Sequence, residues 1–220
     1  MRVSEELRRA ADPIVAAQHD HPFVRGIGDG TLAAQSFRHY VRQDYLFLLE
    51  YARLLALASA RAPSLELMTR FAALARAILE TELELHRAYA SEWGISAEEL
   101  ERERMTPTTR AYTAFLLRTA TLGDFAELVG ALLPCMAGYR EIGRRLAERG
   151  RPDDERYARW IDMYAGEEFG ELADWCCDVA DGVGADLTGE ARGRMRGAYL
   201  ESARYELAFW DMGWRREQPL

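Results

Sequence analysis

Two residue types are missing from this sequence altogether: it contains no lysine and no asparagine. All 28 of its basic residues are therefore arginine. Without an amine side chain there is no Walker-loop lysine, no pyridoxal Schiff base and no Schiff-base aldolase chemistry. Both absences fit a drift toward GC-rich codons and imply nothing more about mechanism. Cysteine is scarce. The three thiols, Cys135, Cys176 and Cys177, are odd in number and two are adjacent, which makes neither a disulfide framework nor a zinc spacing; reduced, intracellular thiols are expected. Long apolar runs are also missing. The stretch from Ala52 to Ala60 is broken by Arg53 and ends at Arg61, far short of the roughly 20 residues of a membrane span. The N-terminal MRVSEELRRAAD is charged, without an apolar signal core, so a cytosolic protein is expected.

Histidine is limited to His19, His21, His39 and His86. A di-iron helical bundle needs Glu-x-x-His from each of two helices, and no such pairing exists. Glu82 and His86 stand four apart, with Glu80 and Glu84 close by, and this ELELHR segment reads as a solvated or ion-paired helix face. His19, near the N-terminus, is a conceivable haem ligand of the kind haem oxygenases use, but the final helices carry no matching glycine-rich segment. No metal and no cofactor are expected. The net charge of −8 and the lack of a DNA-binding motif argue against nucleic acid as a partner. The arginine pairs Arg8–Arg9, Arg144–Arg145 and Arg215–Arg216 are interleaved with acids, as on solvated helix faces.

What remains is helical periodicity almost throughout. A first helix is expected over 3–19, bent or restarted by Pro13, followed by a loop in HDHPFVRGIGDGTL where Gly26, Gly28 and Gly30 cluster. Ser36 opens a long helix to about residue 60, and Pro63–Ser64 opens another ending near Trp93–Gly94. Ser96 followed by Glu99 has capping-box form. Further helices are expected from Thr106–Thr109 to about Thr121, from Gly123–Asp124 to Gly150, over 154–165 and 167–181, and from an N-cap at Thr188 to about Arg215. The reading is all-α: one single-domain bundle over 1–220, of about eight to ten helices.

Chemistry centres on GALLPCMAGYREIG. Pro134 should kink its helix, Ala137 and Gly138 leave room beside Cys135, and Tyr139 projects from the same face one turn on. From this helix alone, a buried thiol acting as a small hydrophobe is the favoured reading. Other helices add partners. In QDYLFLLEY, Asp44, Phe47 and Tyr51 share a face, and a carboxylate among apolar residues needs a partner or a ligand. In ESARYELAFWDMGW, Glu206 shares a face with Phe209 beside Trp210; an acid desolvated there could act as acid or base near neutral pH. Tyr112 and Tyr164 contribute phenols.

Taken in order, HPFVRGIGDGTL, QDYLFL, LLPCMAGYREIG, WIDMYAGEEF and YELAFWDMGW resemble the TenA/thiaminase II family from about residue 19 to 214. The resemblance implies a haem-oxygenase-like helical fold, usually a homotetramer. It also implies hydrolysis of thiamin, or of 4-amino-5-aminomethyl-2-methylpyrimidine, to the hydroxymethyl pyrimidine in thiamin salvage. Carried over by position, Cys135 is the nucleophile, Glu206 the acid/base, and Asp44 the binder of the pyrimidine's amine and ring-nitrogen edge. Tyr112, Tyr139, Tyr164 and Phe209 are the aromatic lining. Phe47 departs from the family, where a tyrosine stands in well-studied members, and this bears on turnover rate more than on reaction type. Two other readings go with the same resemblance: a transcriptional activator, and a haem or metal oxygenase on the same fold. Cys176 and Cys177 are expected to be structural.

Overall fold

The computed structural model describes residues 1–219 and, among them, contains helices and no strand. Twelve α-helices are present among the described residues: α1 Val3–Ala10, α2 Asp12–His19, α3 Pro22–Gly28, α4 Ala34–Arg61, α5 Leu65–Ala77, α6 Leu83–Glu92, α7 Ala97–Glu101, α8 Pro107–Leu122, α9 Phe125–Glu148, α10 Glu155–Ala165, α11 Glu167–Ala185 and α12 Gly189–Arg215. A π-helical segment, Ile78–Glu82, joins α5 to α6. None of these helices is long and apolar enough to cross a membrane.

The number exceeds the expected eight to ten because two expected helices are divided and one expected loop is partly helical. Pro13 restarts the first helix, separating α1 from α2. The helix expected from Pro63–Ser64 to Trp93–Gly94 is interrupted by the π segment. The third case is a correction: HDHPFVRGIGDGTL is not a loop throughout, since Pro22–Gly28 is helical. Pro22 occupies the first turn, where its missing N–H costs nothing, and the His21 ring accepts a hydrogen bond from the Phe23 amide at 3.2 Å. Only Gly30, with φ of +69°, takes the left-handed turn. Ser36 does not open α4, which begins two residues earlier; its side chain is buried. The caps at Ser96 and Thr188 form as their sequences indicate, the Ser96 and Glu99 side chains exchanging hydrogen bonds with each other's amides at 3.2 and 2.8 Å.

The chain forms two compact units, Met1–Ala33 with Ala126–Trp210, and Ala34–Phe125 with the residues from Asp211 onward. The first unit is built around α9, which continues through Pro134 without a break. Two glycines let neighbouring backbones press against it. A Cβ at Gly130 would lie 2.4 Å from the Met195 carbonyl oxygen of α12, and one at Gly143 would lie 2.6 Å from the Tyr164 carbonyl carbon of α10. Cys135 and Tyr139 sit on α9 between these two crossings. Around them, Phe23, Tyr139, Trp160, Tyr164, Phe169 and Trp210 form a chain of aromatic contacts with centroids 4.6–6.2 Å apart. Burying each such ring stabilises by about 1.5–3 kcal/mol, and the ring pairs add about 0.5–1.5 kcal/mol.

The second unit is organised by α4. Gln43 anchors the start of α8: its Nε2 donates to the Arg104 carbonyl at 3.0 Å, and its Oε1 accepts from the Thr106 amide and the Thr109 hydroxyl, both at 2.9 Å. At the other end, Arg61 donates to the carbonyls of Ala120 and Gly123, satisfying groups that the end of α8 would leave unpaired. With both ends of α8 tied to α4, Tyr112 is held against Phe47, the ring centroids 4.9 Å apart.

Candidate active site

The residues singled out in the sequence divide between the two units. Cys135, Tyr139, Tyr164, Glu206 and Phe209 belong to the first, and Asp44, Phe47 and Tyr112 to the second.

In the first unit, Cys135 is buried, with 8% of its surface exposed, and Glu206 is buried on α12 at 3%. Tyr139, one turn beyond Cys135, packs on Tyr164 at 4.9 Å and on Trp210 at 5.2 Å. Trp210 lies one turn beyond Glu206, so the tyrosine ring bridges the α9 and α12 segments that carry the thiol and the carboxylate. Phe209 is buried beside Trp210 in the sequence of α12. Ala137 is a correction. Instead of flanking the thiol it lines a cavity of about 490 Å³ with Arg8, His19, Arg140, Glu141 and Tyr199. Two residues along an α-helix is a turn of about 200°, which places Ala137 on the opposite face from Cys135.

That cavity holds a compact charge cluster. Arg8 grips Glu141 with two hydrogen bonds of 2.7 Å, and His19 Nε2 lies 3.4 Å from the same carboxylate. Burial, reinforced by Arg145 and Arg8 and opposed by Glu141, lowers the proton affinity of His19. Cys177 lines this cavity too; burial and Asp174 push its thiol up to about 11, so it is protonated and unreactive near neutral pH. Cys176 is buried.

In the second unit, Phe47 packs on Tyr51 at 5.6 Å and on Tyr112 at 4.9 Å. Asp44 is 2% exposed, and the partner its burial requires is His86, whose Nε2 lies 2.8 Å from Asp44 Oδ2. The other ring nitrogen, Nδ1, lies 2.8 Å from the Glu82 carbonyl oxygen. This corrects the reading of ELELHR as one solvated or ion-paired face. Glu80 and Glu84 are exposed and pair with Arg76 and Arg87, whereas Glu82 and His86 are buried and His86 pairs across to α4. The reason is the π segment: its wider turn shifts the phase at which the following residues face α4. Burial would lower the proton affinity of His86, but the hydrogen bond and charge of Asp44, with the Glu82 carbonyl, raise it overall. The only signal in the sequence for this pair was that Asp44 needed a partner. Among the described residues, no three His, Cys, Asp or Glu side chains are grouped as a metal site.

Comparison with known proteins places these residues in context. An aminopyrimidine aminohydrolase of Halalkalibacterium halodurans is 42% identical over 97% of this chain and 96% of its own length. One from Bacillus subtilis is 36% identical over 99% and 92%. The solved structure of a TenA homologue from P. horikoshii OT3 superposes with a TM-score of 0.91 at 30% identity, covering 98% of this chain and 99% of that one. A Shewanella denitrificans domain with a heme oxygenase-like fold, 13% identical, superposes at 0.74 over 96% of this chain and 90% of its own, which shows the fold. The all-helical fold is thus haem-oxygenase-like. With residues 8–216 matching its family model and relatives similar end to end, the chain belongs to the TENA/THI-4/PQQC family.

Proposed function

We propose that this protein is an aminopyrimidine aminohydrolase of the thiaminase II type. It hydrolyses 4-amino-5-aminomethyl-2-methylpyrimidine, and thiamin, to the hydroxymethyl pyrimidine in thiamin salvage. The observation that carries this reading is end-to-end similarity to two enzymes named for that activity, at 42% and 36% identity. The family match over residues 8–216 spans every helix on which the proposed residues lie.

In this reading Cys135 is the nucleophile. Its thiolate adds to the pyrimidine ring while Glu206 delivers a proton to a ring nitrogen, so aromaticity is lost and the electron pair returning from the ring expels the amine or thiazole. Water adds to the exocyclic methylene that this uncovers, forming the new C–O bond, and the proton it releases passes to the expelled amine, or to solvent where the neutral thiazole leaves. Expulsion of the thiolate, with return of the proton to Glu206, restores the ring. Asp44 accepts from the substrate amine, and Phe47, Tyr112, Tyr139, Tyr164 and Phe209 bind the flat heterocycle. The same resemblance supports a cytoplasmic homotetramer acting without a cofactor or metal, with a small molecule as its partner and neither nucleic acid nor membrane.

The test is steady-state hydrolysis of the aminomethyl pyrimidine by Cys135→Ala and Glu206→Gln. Each is expected to lower kcat by about a hundredfold or more with the helical circular-dichroism spectrum retained. Unchanged turnover in Cys135→Ala overturns the nucleophilic role, and absence of hydrolysis by the wild type overturns the activity.

A further inference from the structure

His86 has no part in the chemistry above, yet both its ring nitrogens are committed and both commitments are buried. The Glu82 carbonyl can only accept, so Nδ1 carries a proton, and the tautomer is fixed from that side. Nε2 then faces Asp44 Oδ2 at 2.8 Å. The proton affinity of His86 is raised, so the ring faces Oδ2 as an imidazolium with Nε2 as the donor. Asp44's other oxygen, Oδ1, takes no hydrogen bond from any described residue. A carboxylate held in this way can accept and cannot donate.

We propose that His86 is a positioning residue that keeps Asp44 ionised and oriented, so that the site selects a 4-amino over a 4-oxo pyrimidine. This rests on the aminohydrolase reading and on Asp44 binding the substrate amine. An exocyclic amine offers an N–H to Oδ1. An oxo group sets a second acceptor against it, and the N3–H of the lactam form reaches Oδ1 only if the ring slides along this edge from the position the amine dictates. Removal of His86 leaves Asp44 desolvated without its counter-charge, which favours its protonated form. A protonated Asp44 donates to an oxo group as well as it pairs with an amine, and the discrimination is lost.

The experiment compares kcat/KM for 4-amino- and 4-oxo-5-aminomethyl-2-methylpyrimidine in the wild type, His86→Leu and His86→Gln. His86→Leu is expected to raise KM for the amino substrate about tenfold or more and to reduce the amino/oxo ratio by at least about tenfold. His86→Gln, whose amide can still donate to Asp44 but carries no charge, is expected to restore only part of the ratio. A loss of packing alone would lower turnover of both substrates together, so an unchanged ratio in folded His86→Leu overturns the proposal. If that variant does not fold, nitrogen-15 NMR of the wild-type imidazole decides. Both ring nitrogens protonated, with Nε2 shifting in Asp44→Asn, supports the assignment; an unprotonated Nε2 overturns it. Absence of wild-type turnover would remove the aminohydrolase reading, and with it the proposed selectivity, while the NMR result reports separately on the His86–Asp44 bond.

Discussion

At the level of a single side chain, Phe47 stands where the resemblance to the TenA/thiaminase II family implies a tyrosine. Its ring is buried between Tyr51 and Tyr112, surroundings that favour an aromatic ring but give no reason for its lacking a hydroxyl. Phe47→Tyr is expected to raise kcat for the aminomethyl pyrimidine while lowering unfolding free energy by about 1–3 kcal/mol, because the added hydroxyl must be desolvated. Parallel kinetics and urea denaturation measure both changes, and a variant with slower turnover contradicts the first. Residues of this kind differed in how legible they were. Asp44 stood out as a charge in an apolar stripe. His86 did not, because its partner is 42 residues away in sequence. The Glu82–His86 spacing, read at 3.6 residues per turn, pointed to a solvated or ion-paired face.

Between elements, the tightest fits are those of α9. Gly130→Ala should cost about 1–3 kcal/mol, since its Cβ would press on the rigid backbone of α12 at Met195. Gly193 and Gly197, exposed within α12 with nothing near their Cβ positions, make the opposite case. Alanine at either should stabilise by about 0.5–1 kcal/mol through helix propensity alone. Chemical denaturation of the three variants checks the contrast, and equal effects would contradict it. Helix limits set by side-chain chemistry, at Ser96 and Thr188, were readable from the sequence. Those set by geometry were not. The α3 helix was hidden by glycines, and the π segment has no composition that separates it from an α-helix.

For the molecule as a whole, three histidines shape the response of stability to pH near neutrality, and they act in opposite directions. His19 and His39 have lowered proton affinities, each mainly through burial. The unfolded chain therefore takes up protons that the folded one refuses, and stability falls as pH drops below about 6.5. His86 is raised, so its contribution is complete below about 6.5 and is lost as pH rises through its higher folded value. Thermal denaturation between pH 5.5 and 8.5 (roughly the range of histidine titration) should show Tm falling on both sides. In His86→Gln the acid-side loss should persist and the alkaline-side loss shrink to the small part near pH 8.5 that Cys177 leaves, since its raised thiol ionises more readily in the unfolded chain; an undiminished alkaline slope would assign it to other groups. At this scale the sequence was most informative, because five weak segments in a fixed order identified the family that the end-to-end comparisons confirm.

The π segment also bears on how the length of this chain can vary. It holds one residue more than an α-helix would need to join α5 to α6. Loss of a residue there, such as the exposed Glu80, would let the segment close into regular helix while His86 kept its heading toward α4. Loss of a residue between Leu83 and His86 has no such slack and would swing the imidazole about 100° around the helix, away from Asp44. Shortening is therefore tolerable on one side of Glu82 and ruinous on the other.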